Sequence, residues 1–155
     1  MTRVTLREVT ADTVLRVCKL DVAPDQRKLV APNAVSIAQA HFEPAAWFRA
    51  VCADDEPVGF VMLYDPRTAV APEHPDSVFL WRLMIDAKHQ RRGYGRQALE
   101  LVIAHARTIP GMKRLRVSYV DAPGNPSPLY ERAGFARTGE IDEGEIVMEL
   151  PLRES

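Results

Sequence analysis

Apolar residues recur every second position in some stretches of the chain and every third or fourth in others. In residues 3–9, Val4 and Leu6 alternate with charged neighbours, which predicts an opening strand. Val14, Leu15, Val17, Cys18 and Leu20 predict a short amphipathic helix over residues 12–20, with Asp12 as the candidate cap. Pro24, Pro32 and Pro44 cut residues 21–46 into short pieces, of which Ser36 to His41 can form a helical turn or two. Residues 47–53 and 57–64 read as two strands joined into a hairpin through DDEP, and residues 65–76 as a loop. The stretch SVFLWRLMI, residues 77–85, is apolar on both alternating faces, as a strand covered on both sides must be.

The clearest helix spans residues 94–108, where Leu99, Val102, Ile103 and Ala106 share one face, and Pro110-Gly111 stops it. A strand at 113–120, a short helix at 126–133 closing on Gly134, and strands at 135–138 and 144–150 complete the chain. That order predicts one mixed sheet with helices on both faces.

Composition narrows the classes. The 155 residues suit one domain, 1–155, with a sizeable core. A net charge of −1 gives no reason to expect nucleic acid or an anionic membrane as partner. Cys18 and Cys52 lack metal-ligand spacing and read as reduced core thiols. No apolar run approaches the roughly 20 residues of a membrane span. MTRVTLREVT lacks the apolar centre of a signal peptide. A cytoplasmic protein is therefore expected. His41, His74 and His105 have no ligand spacing either, and no metal site is expected.

The stretch DAKHQRRGYGRQALELV, residues 86–102, carries the chemistry. Gly93 and Gly95 open the clearest helix, where unpaired N–H groups and the positive dipole end attract anions. Lys88, His89, Arg91, Arg92 and Arg96 surround them. No Gly-Lys-Ser/Thr follows, which excludes a P-loop. Gly93-Tyr94-Gly95-Arg96-Gln97-Ala98 does satisfy G-x-G-x-x-G/A, and Asp121 stands where a ribose-binding acid could. Against a dinucleotide fold, DAKHQRR separates the strand from the first glycine, and too little chain follows Asp121. Coenzyme A, with a pyrophosphate and a 3′-phosphate, suits so many cations better.

Gln90-Arg91-Arg92-Gly93-Tyr94-Gly95 resembles the Q/R-x-x-G-x-G/A signature of the GNAT N-acetyltransferase family. NPSPLYERAGF, residues 125–135, resembles the family's second motif, a short helix with a tyrosine that closes on Gly-Phe. VAPNAVSIAQA (30–40), PVGFVMLYD (57–65) and WRLMIDAKHQRRGYG (81–95) are similar to bacterial diamine and spermidine-type acetyltransferases. The resemblance implies an α/β (α+β) fold: one mixed, mostly antiparallel sheet of about six or seven strands, about four flanking helices, and splayed central strands. It implies acetyl-CoA as co-substrate, a small-molecule amine as partner, and a homodimer as an open possibility. It also implies that Leu83, Met84 and Ile85 pair with the pantetheine arm. Gln90 through Arg96 would cradle the pyrophosphate, Asn125 would join the coenzyme site, and Tyr130 would be the general acid. A protein N-terminus, a lysine or an aminated antibiotic stay open as acceptors, as does a sensor that binds acyl-CoA without turnover.

A lysine-like amine is neutral in only about 1 molecule in 2,500 at pH 7, so a base or a water must take its proton. Glu43, Asp86 and Asp121 are candidates. Arg82 stands out in an apolar strand and needs either a carboxylate on an adjacent element or a ligand. Acidic residues that could face a cationic acceptor lie at Asp21, Asp25 and Glu43, and again at Glu140, Asp142, Glu143 and Glu145.

Overall fold

Alternating apolar residues become strands, and the residues between them that repeat at helical spacing become helices laid on the sheet. In chain order the elements are β1 (Val4–Arg7), α1 (Val14–Lys19), α2 (Asn33–Phe42), β2 (Ala46–Ala53), β3 (Glu56–Tyr64) and β4 (Ser77–Ile85). They continue as α3 (Tyr94–Thr108), β5 (Arg114–Tyr119), α4 (Ser127–Arg132), β6 (Ala136–Asp142) and β7 (Glu145–Pro151). This is a computed structural model, and it describes residues 2–153. The strands form one seven-stranded sheet in the order β1-β2-β3-β4-β5-β7-β6. Every pairing is antiparallel except β4 with β5.

Each face of the sheet has its own core. On one, α3 buries Ala98, Leu99, Val102, Ile103 and Ala106 against Val61, Leu63, Val78 and Leu115. Each large side chain so buried contributes about 1.5–3 kcal/mol. On the other face, Val17 of α1 packs with Phe60, Met62 and Met84, and Ile37 and Ala40 of α2 lie against them. Strand β4 thus touches both cores, as its doubly apolar sequence predicts.

The structure departs from the local sequence pattern at α2, at the start of α1 and in β6. Helix α2 is a full ten residues rather than a turn or two. Pro32 stands before its first turn, where a missing N–H costs nothing, so it opens the helix instead of breaking it. Asn33 is buried and donates to the carbonyl of Val17 at 2.9 Å, tying α2 to α1. Asp12 does not cap α1: the N-cap is Thr13, whose hydroxyl accepts from the Thr10 N–H at 2.9 Å. Strand β6 runs to Asp142 although every residue in it is exposed. It is held by β7 and by Arg116, which pairs with both Glu140 and Glu149.

The centre of the sheet positions the site. Strands β4 and β5 are in register only from Ser77 opposite Arg114 to Leu80 opposite Val117. At that point β4 carries an irregularity against β3: Leu63 faces Leu80 while Met62 faces Arg82, leaving Trp81 out of the ladder. Beyond it β4 stays paired with β3, but residues 81–85 have no strand partner on the β5 side. Among the described residues, no helix is long and apolar enough to cross a membrane.

Candidate active site

Where β4 and β5 part, a cleft of about 890 Å³ opens. Residues 79–85 of β4 and 117–120 at the end of β5 line it, together with the glycine loop and the β6–β7 turn. Along the free edge of β4 from Leu83 to Ile85, alternate main-chain N–H and C=O groups have no strand partner, and the Ile85 carbonyl accepts from Gln90. An extended, amide-bearing arm fits such an edge as an added strand would.

Gly93 is the N-cap of α3 with φ 80°, where a side chain would cost roughly 1–2 kcal/mol. Gly95 lies within the first turn, and an added Cβ would meet only Ile85 at 3.7 Å and Leu129 at 4.0 Å. Those are ordinary contacts, so the fold alone does not require glycine there. A ligand that approaches the first N–H groups of α3 would. Gln90, Arg91, Gly93, Tyr94 and Gly95 line the cleft; Arg92 of the loop and Arg96 of the first turn of α3 are exposed outside its lining. Gln90 spends its amide on the protein, donating to the Ile85 carbonyl at 2.9 Å and to Gln26 at 2.8 Å. It anchors the loop to the end of β4.

Tyr130 sits in α4 with 5% of its surface exposed, at the cleft wall, its ring 5.5 Å from that of Phe135. Burial pushes its phenol pKa upward. Asn125 is turned to local work: it donates to the Ala122 carbonyl at 2.9 Å and accepts from the Ser127 N–H at 2.9 Å. It is not part of the cleft lining. Tyr119 is a residue that sequence reasoning passed over. Its hydroxyl is buried without a hydrogen-bond partner, and the residue lines the same cleft. As the last residue of an alternating strand it carries no signal that separates it from core.

The rest of the cleft lining is mixed in charge. Of the acidic residues, Asp142, Glu143 and Glu145 line it, and Glu145 accepts from Ser118 at 3.2 Å. Glu140 is occupied by Arg116, Asp21 by Arg27 at 3.0 Å, and Asp25 and Glu43 lie outside the lining. The candidate bases fall elsewhere. Asp86 is buried and accepts from the Asp21 N–H at 2.9 Å, a structural tie, and neither Glu43 nor Asp121 lines the cleft. Arg82 does line it, and no carboxylate of the described residues pairs with it.

Known proteins share this architecture. The chain is 26% identical over 155 residues to the spermine/spermidine N(1)-acetyltransferase of Bacillus subtilis (strain 168), covering 94% of this chain and 96% of that protein. Its fold matches an acetyltransferase from Thermus thermophilus with TM-score 0.71 at 23% identity, over 96% of each chain. It also matches an aminoglycoside acetyltransferase in complex with coenzyme A and kanamycin, with TM-score 0.78 at 15% identity, over 96% and 95% of the two chains. The sequence model of the Acetyltransferase (GNAT) family matches residues 14–135. With most of its length inside that match, and the parted strands and glycine loop in place, the chain belongs to the GNAT acetyltransferase family.

Proposed function

We propose that the protein transfers the acetyl group of acetyl-CoA to a primary amine of a small diamine or polyamine. The observation that carries this reading is the parting of β4 and β5 beyond Leu80 and Val117, between a glycine-opened helix and a buried tyrosine. Similarity to a spermine/spermidine acetyltransferase supports the acceptor class. The residues fit the coenzyme at three places. The unpaired edge of β4 suits its amides, the start of α3 its pyrophosphate, and the unfilled space at Gly95 the close approach of both.

Acetyl-CoA, when bound, supplies an acyl group already activated as a thioester. The protein's part is to orient, to exclude water and to move two protons. Leu83, Met84 and Ile85 hold the donor along β4, and the main-chain N–H groups near the irregularity at Trp81 can polarise a carbonyl beside them. Tyr130 holds its proton at neutral pH and can pass it to the departing sulfur. The amine's proton leaves by water or by a cleft carboxylate, of which Glu145 is the best anchored through Ser118. Cys52 is buried, Cys18 is half-buried, and neither lines the cleft, which favours direct attack over an acetyl-cysteine.

Release of coenzyme A thiol in the presence of a panel of amines tests the reading. Turnover with small diamines or polyamines is expected, along with a higher melting temperature in acetyl-CoA but not in NAD. Stabilisation by acetyl-CoA without thiol release from any amine would overturn the assignment of transferase activity.

A further inference from the structure

Arg82 is a half-buried cation in the cleft that the fold does not neutralise. Arg7, Arg27, Arg49, Arg67, Arg114 and Arg116 each have a carboxylate within 4 Å; Arg82 has none among the described residues. Its contacts are neutral oxygens: the Trp81 carbonyl at 3.1 Å and the Gln39 side-chain carbonyl at 3.3 Å. Its Nε is buried with no partner. Neutral oxygens accept hydrogen bonds but leave the charge uncompensated, and a half-buried guanidinium keeps its charge. Glu145 is near enough to act on it through space but does not pair with it. Burial holds the Arg82 pKa below its usual value, and Glu145 offsets this only in part.

Its place in the cleft separates it from the coenzyme. Arg82 stands three residues before Ile85, about 10 Å along the strand, and the glycine loop lies further on. The pyrophosphate end is therefore out of its reach. The neighbours of Arg82 are Gln39 of α2 and Glu145 at the start of β7, which leaves the acceptor as the group it can meet.

We propose that Arg82 receives a carboxylate of the acceptor, so that the preferred acceptor is a diamine bearing an acid group rather than a plain polyamine. A planar guanidinium binds carboxylate through parallel hydrogen bonds, and the bound anion replaces the missing counter-charge. The acidic side of the cleft then faces an ammonium of the same molecule. The proposal rests on the cleft being the site of acetyl transfer to an amine.

Paired acceptors test it: ornithine against putrescine and lysine against cadaverine differ only by the carboxylate, and lysinamide controls for bulk. Wild-type kcat/KM is expected to be about tenfold to a hundredfold higher for the acid of each pair, carried mainly by KM. Arg82→Gln should lower the acid alone and bring the ratio near one, while Arg82→Lys restores part of it. A wild-type preference for putrescine and cadaverine overturns the proposal, and needs no variant. An Arg82→Gln loss equal for all acceptors does so as well, since it marks a role toward the thioester or in folding. If no amine is turned over, the transfer reading itself fails. Calorimetric titration of lysine and cadaverine into protein saturated with coenzyme A then decides: carboxylate-dependent binding lost in Arg82→Gln supports the proposal, and equal binding overturns it.

Discussion

At the scale of single residues, chemistry follows from what each side chain is denied. Tyr130 is denied water, so its phenol holds its proton more firmly than a free one. Because its pKa is raised, the acid form persists at and above the pH where an ordinary phenol, near 10, would ionise. Replacing Tyr130 by Phe should lower kcat by about 100-fold or more and leave the KM for acetyl-CoA nearly unchanged. The wild-type kcat profile should show no loss from an ionising phenol below pH about 10. Steady-state rates for both proteins from pH 7 to 10 check this, and an undiminished variant would remove Tyr130 from the reaction. Tyr130 could be singled out beforehand because a motif surrounds it. Tyr119, with its unpartnered hydroxyl, could not, because its place in the cleft depends on where two strands separate.

At the scale of elements, backbone approach matters more than propensity. Gly59 of β3 faces β4 so closely that a Cβ would lie 2.4 Å from the Met84 carbonyl oxygen and 2.7 Å from Ile85 Cδ1. Both are on the strand that would hold the coenzyme. Gly59→Ala should therefore cost about 1–3 kcal/mol, read as a lower denaturant midpoint at constant m, and should raise the KM for acetyl-CoA. Unchanged values for both would mean that β4 can shift freely. Helix α3 was legible because its apolar residues keep one period throughout, and strand β4 because it is apolar on both faces. Helix α2 was not, because Pro32 reads as a breaker unless its position at the helix start is known. Strand β6 was not legible past Thr138, because it buries no face of its own.

At the scale of the whole molecule, stability depends on contacts between distant stretches. His105 of α3 stacks on Trp47 of β2 at 4.2 Å between ring centroids, with Arg49 over the same indole at 4.3 Å. Burial, then Arg49, lowers the His105 pKa; Asp65 raises it and Arg67 lowers it. A depressed folded-state pKa means that the unfolded chain takes up the proton first. This part of the stability is present above about pH 6.5 and is lost as pH falls toward the folded value. Unfolding midpoints at pH 7.5 and 5.0 should fall less in His105→Gln than in the wild type; an equal fall would assign the effect to other groups. The sequence by itself determined the element order and the glycine-opened helix, since local periodicity is enough to specify them, and the tyrosine motif through its resemblance to a family pattern. Only the tertiary structure decided which residues share the cleft. It drew Arg82, Tyr119 and the β6–β7 carboxylates in, and left Asn125, Asp86 and Asp121 out. The reason is physical: a side chain's role there depends on where β4 and β5 lose register, and no stretch of sequence records that separation.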